Sequence, residues 1–184
     1  MKKSNVVNFV LFQIAWFVAV WGAAEGYGWM GPAAVAGWVI FFMAWHRPAR
    51  QDGTLLLMTG LIGFCMDSIL VWSGSLQFPE WAGPAFPTTI WMVALWINLG
   101  ASLRHSLKWL TGRYLLGLLF GAIGGPLAYL AGEKLNAISV LEPVPVVIAW
   151  AIAMPLVLWV ERTTAGNAMD LAPPLKTTSR VHRS

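Results

Sequence analysis

Residues 54–72 read TLLLMTGLIGFCMDSILVW, and the placement of this stretch decides the fold. It is apolar over the ~20 residues that a helix needs to cross the hydrocarbon of a bilayer, and it carries one ionisable group, Asp67. Working outward from it, further apolar runs of similar length are set apart by polar, glycine, proline or tryptophan residues. The candidate spans are 6–24, 29–45, 54–72, 86–103, 114–131 and 144–160. The second and sixth are the shortest, and are expected to cross with little tilt or to borrow their flanks.

Composition agrees. Of 184 residues 58% are hydrophobic and 11% charged, where a soluble domain carries about 25% charged. A water-soluble core cannot hide that much apolar surface, and no soluble domain fits in the remainder. Basic residues next to spans stay in the cytoplasm. With the N-terminus inside, Lys2, Lys3, Arg47, Arg50, Arg104, Lys108, Arg113, Arg162, Lys176, Arg180 and Arg183 lie on the inner side, and Lys134 alone on the outer. Removing or adding one helix would scramble this asymmetry. The expected fold is therefore all-α and polytopic, with six transmembrane helices within 1–161, both termini cytoplasmic, and a disordered cytoplasmic tail over 162–184.

The net charge of +4 follows the membrane sidedness, which excludes a nucleic-acid face. Cys65 is the single cysteine, so no disulfide framework exists, and neither Cys/His spacing nor an HExxH pattern points to a metal. No cofactor is expected. Met1-Lys2-Lys3 before an apolar run resembles a secretory signal, with Gly22-Ala23-Ala24 as a cleavage alternative. The run from Val6 to Ala24 is longer and more aromatic than a signal core, so a retained first span is expected.

Tryptophan prefers the headgroup boundary. Trp21, Trp29, Trp72 and Trp81 are expected at the outer boundary and Trp45, Trp109 and Trp159 at the inner one. Trp16, Trp38, Trp91, Trp96 and Trp150 fall deeper and require packing partners or an acceptor. Two loops stand out. Ser73–Ala85 reads as a lid on the outer surface, and Arg104–Leu110 alternates basic and apolar residues as an interfacial helix would.

Asp67 is the first candidate for chemistry, since an acid inside a span is costly unless it has a use. No span supplies a base at its depth, so it is expected to be neutral and to donate a hydrogen bond. The acceptor would be the Ala122 carbonyl, which Pro126 leaves without its helical donor. The functional alternative makes Asp67 a proton carrier or a headgroup ligand, with Glu25, Tyr129 and Glu133 nearby at the outer boundary.

Asn98, Ser102 and His105 follow one another at i, i+4 and i+7 on one helix face, beside Arg104 and Lys108. That set could hold a phosphate or headgroup, or else its members are interhelical hydrogen bonders. Asp67 and His105 are the only catalytic candidates. Gly117, Gly121 and Gly125 form a close-packing face that Ala128 and Gly132 extend. Gly124-Gly125-Pro126 could loosen the helix beside Asp67, and Gln13 is expected to bond between helices.

At Asn8-Phe9-Val10-Leu11-Phe12-Gln13 with Trp16, then Asp67-Ser68, His105-Ser106 and the run Gly124–Gly132, the chain resembles the domain of unknown function 2878 family of small bacterial inner-membrane proteins. The resemblance covers nearly all of the hydrophobic region but not the tail. It implies a bacterial inner (cytoplasmic) membrane and a setting beside lipid-modifying enzymes of the cyclopropane fatty acid synthase type, and it gives no residue a role.

Three functional expectations stand together: an accessory or enzymatic protein of lipid or fatty-acyl modification, a small proton-coupled transporter, or a structural partner of another membrane protein through the glycine face. Membrane lipids are the expected partners, with lipid-modifying enzymes or a second copy as alternatives.

Overall fold

The computed structural model describes residues 3–46, 50–82 and 87–170. It is all-helical, with α1 Lys3–Ala24, α2 Met30–His46, α3 Arg50–Trp72, α4 Ile90–Leu103, α5 Tyr114–Lys134 and α6 Pro143–Asp170. Four of these, α1, α3, α5 and α6, are long and apolar enough to cross a membrane, while α2 and α4 are shorter apolar helices. The large exposed side chains are overwhelmingly Leu, Ile, Val, Phe and Trp. A helix set that is apolar outside as well as inside belongs in lipid.

The chain reverses between successive helices, so one end of the bundle carries the starts of α1, α3 and α5 and the other carries their ends. These are the near and far ends of the bundle. At the far end α1, α3 and α5 close alike. Gly26, Gly74 and Asn136 take positive φ (82°, 75° and 61°), and the next amide reaches back to Gly22, Leu70 and Gly132 respectively. This αL closure satisfies carbonyls that a helix end otherwise leaves open. A two-stranded antiparallel ribbon, β1 Leu76–Gln77 with β2 Ser139–Val140, ties the two far-end loops together. Glu133 accepts the Val140 amide at 2.9 Å.

The central helix is α4. It packs against α1, α2, α3 and α6, which buries most of its side chains. At 14 residues it rises only ~21 Å, short of the ~30 Å hydrocarbon core. Its start at Ile90, rather than at 86, is one correction to the expected spans; the shortest helices are thus the second and fourth.

The sixth is the longest, at 28 residues. It runs past Glu161 to Asp170, so the first part of the segment expected to be a disordered tail is helical. Residues 171–184 lie outside the described residues, as do Lys2, Arg47, the Trp45 side chain and the Gly83–Ala85 part of the expected lid. The described part of that loop is held down, with Trp81 Nε1 donating to the Ala24 carbonyl at 3.1 Å.

The Arg104–Leu110 segment is a turn followed by a 3₁₀ turn at Lys108–Leu110, not an interfacial helix. Leu107 and Leu110 enter the core, and Arg104 folds inward to Asp52 (2.5 Å) and Glu161 (3.6 Å), joining α3, α4 and α6 at the near end.

The tryptophans divide by exposure, and the Trp91 indole N–H is buried without a hydrogen-bond partner among the described residues. Trp21, Trp29, Trp72, Trp81, Trp109 and Trp159 are exposed, and Trp38, Trp91 and Trp96 are buried.

Candidate functional site

Because α1 packs on α2 and α4, and α5 packs on α6, α1 and α5 face each other across a gap floored by α4. That gap is a cleft of about 890 Å³, within the 300–1,000 Å³ range typical of ligand sites. One face of α1 lines it through Asn5, Phe9, Phe12, Gln13, Trp16 and Val20. Opposite stand Phe120, Gly124, Leu127 and Ala128 of α5, and the floor includes Met92, Leu95 and Leu99 of α4. From Asn5 to Val20 the helix rises ~22 Å, so the cleft is longer than the ~15 Å half-thickness of the hydrocarbon core. Phe9 and Leu127 on its rims are 48% and 59% exposed, so it opens sideways.

Its back wall is aromatic and is fixed from behind. Trp96 and Trp150 stack with centroids 4.4 Å apart and planes at 16°. A methyl group on Gly63 would fall inside the Trp96 ring, and one on Gly125 inside the Trp150 ring. The layer is therefore glycine, indole, indole, glycine, contributed in turn by α3, α4, α6 and α5. Both faces of each indole are covered, and ring edges meet the cleft.

Asp67, fully buried in α3, locks this wall. Its Oδ2 accepts from Trp96 Nε1 at 2.8 Å, and its Oδ1 accepts from the Tyr129 hydroxyl. Both oxygens face donors, which corrects the expectation that Asp67 donates to the Ala122 carbonyl. The signal that could have found this was the deep placement of Trp96 on the adjacent helix, since a buried indole N–H seeks an acceptor. Of the residues expected around Asp67 only Tyr129 is there. Glu25 is exposed at the end of α1, and Glu133 serves β2. Helix α5 continues unbroken through Gly124, Gly125 and Pro126, so the expected loosening is absent.

The polar stripe of α4 divides. Asn98 is buried and committed, accepting from Trp38 Nε1 at 2.9 Å and donating to the Phe12 carbonyl at 3.1 Å, which joins α1, α2 and α4. Ser102 donates to the Asn98 carbonyl. Ser102 and His105 both line the near end of the cleft, with Ser106 and Lys108. His105 also meets the Phe42 ring edge-on at 4.6 Å. Arg104 does not join them, being held by Asp52, Glu161 and Thr164.

Asn8 is the residue the sequence reading missed. Wholly buried, it donates to the Ala101 carbonyl and accepts from the Ser106 hydroxyl at 2.7 Å and the Ser106 amide at 3.3 Å. It thereby pins the turn that carries His105 to α1. Its position among lipid-facing valines gave the only hint. Gln13, expected to bond between helices, lines the cleft midway along α1.

The glycine face of α5 is used inside the chain. Gly117 receives Leu158, Gly121 receives Met154 and the Trp150 carbonyl, and Gly125 receives the Trp150 ring, all from α6. Among the described residues no three His, Cys, Asp or Glu side chains gather so as to hold a metal ion.

Neither the curated proteins nor the solved structures contain a match to this chain. A family model does match, over residues 5–156, and those residues take in all of the cleft's helical walls, Asp67 and the Asn8 anchor. The chain belongs to the family described as protein of unknown function (DUF2878).

Proposed function

We propose that this protein holds an acyl chain of a membrane lipid in the cleft between α1 and α5, and acts there as an accessory or enzymatic component of lipid or fatty-acyl modification in a bacterial cytoplasmic membrane. The observation that carries the reading is the shape and polarity of the cleft. It is long, lined mostly by apolar and aromatic side chains, and open sideways onto the layer where acyl chains are. A soluble polar substrate has few partners there, whereas a hydrocarbon chain matches the lining along most of its length.

In the proposed topology all six helices cross and both chain ends are cytoplasmic. The described basic residues support it. Lys3, Arg50, Arg104, Lys108, Arg113 and Arg162 cluster at the near end, with Lys134 at the far end. The short α4 crosses with help from the turn that follows it and from the helices around it. The transporter reading loses its main support, because Asp67 is enclosed behind the aromatic wall and does not line the cleft. The partner reading loses its surface, because α6 fills the glycine face.

Gly124 supplies the test. A Cβ there would meet nothing nearer than the Phe120 ring at 3.9 Å, and Gly124 lines the cleft. Gly124→Phe should fold normally and obstruct the cleft with its ring. In native mass spectrometry from mild detergent, the wild type is expected to retain a lipid and Gly124→Phe to lose at least tenfold of that occupancy. Equal retention by the two proteins would refute the assignment.

A further inference from the structure

Resting on the reading of the cleft as an acyl-chain site, we infer that its ligand is an anionic phospholipid, with one acyl chain in the cleft and its phosphate at the near end against Lys108 and Asn5. The polarity of the lining is graded. The far end closes on Val20, Trp91, Gly132 and Ile138, while the near end gathers Asn5, Ser102, His105, Ser106 and Lys108. A chain therefore lies with its tail toward the far end and its head at the near end.

The charge at that end is one-sided. Among the described residues lining the cleft none is acidic, and Lys108 is a cation. The nearby acids Asp52 and Glu161 are drawn to Arg104, so they do not offset Lys108. The Ser106 hydroxyl and amide are spent on Asn8, and the Ser102 hydroxyl on Asn98. At this end Lys108, on the turn that Asn8 fixes, presents an ammonium, and Asn5, on α1, presents a side-chain amide. This arrangement suits the several oxygens of a phosphate and repels a cationic headgroup.

Two further features favour a phospholipid over a free fatty acid. The cleft opens sideways past Phe9 and Leu127, so a second chain can stay in the bilayer. Trp109, 48% exposed at the near rim, sets this end at the depth where indoles mark the headgroup layer.

The test uses the full chain in mild detergent, offered equal amounts of phosphatidylglycerol and phosphatidylcholine with identical chains, together with oleate, and read by native mass spectrometry. Phosphatidylglycerol is expected to be bound about fivefold over phosphatidylcholine, the ratio that one lysine near a bilayer surface supplies. Lys108→Gln should abolish the preference, and Lys108→Arg should keep it. Equal binding of the two phospholipids, an undiminished preference in Lys108→Gln, or displacement of both by oleate would overturn the inference. If Gly124→Phe still excludes every lipid in those cases, the cleft reading survives the loss of the headgroup assignment. If Gly124→Phe binds lipid as the wild type does, the cleft reading itself fails.

Discussion

Asp67→Ala is expected to lower the stability of the folded protein by about 2 kcal/mol, from two interhelical hydrogen bonds near the upper part of the range measured inside membranes. The substitution leaves the Trp96 indole N–H and the Tyr129 hydroxyl facing a void, and both belong to residues that wall the cleft. For a chain of this size that corresponds to a thermal midpoint lower by about 5 °C. Asp67→Asn should fall between alanine and wild type, because its oxygen can accept from one donor while its NH₂ confronts the other. Thermal unfolding in detergent checks the ranking. An alanine variant as stable as wild type would mean that the aromatic wall stands without its acceptor.

Gly125→Leu is expected to be the most damaging single change. Its side chain would enter the space of the Trp150 ring, which cannot retreat because Trp96 is stacked on its other face and Gly63 backs Trp96 in turn. Overpacking of a filled core costs about 1–3 kcal/mol and sometimes more, and here the strain passes through four helices. The variant should be recovered at a small fraction of wild-type yield and should aggregate on size-exclusion chromatography. Gly124→Leu, one residue away and facing the open cleft, should behave as wild type in the same assay. If the two behave alike, the layer of glycines and indoles is not what holds α5 in place.

Much of the fold was legible because lipid makes strong demands on sequence. Hydrocarbon thickness fixes the length of an apolar run, and this placed five of the six helices to within a few residues over most of their length. The fourth started late because Phe86–Thr89 are apolar or neutral enough to extend a run, yet Thr89 is extended at φ −88° and ψ 151° and the helix begins only at Ile90. The sixth ran on past Glu161, where the Glu161 carbonyl and the Thr164 hydroxyl accept from Arg104, a tertiary contact that local polarity does not announce.

The site was less legible. Asp67 stood out as an acid in an apolar span, but its partners are a tryptophan and a tyrosine on other helices, and helix rotation is set by packing. Asn98 and Ser102 share α4, but that helix ends at Leu103 and His105 lies in the turn beyond it, and helical spacing does not say which members are consumed by neighbours. Asn98 is taken by Trp38 and Phe12 and Arg104 by acids, while His105 and Lys108 line the cleft. Gly125 was expected on a helix-packing face, and a Cβ there would meet the Trp150 ring. That it seats an indole could not be known without the register of α6.

The account depends on an acyl chain lying between α1 and α5, and photoaffinity labelling of the reconstituted protein tests this most directly. A fatty-acyl phospholipid carrying a diazirine at mid-chain is expected to label Phe12, Gln13 and Trp16 on α1 and Gly124–Ala128 on α5, with an excess of unlabelled lipid suppressing the signal. Labelling confined to outward-facing residues such as Leu57, Leu115 and Ile123, and not reduced by competitor, would contradict the account.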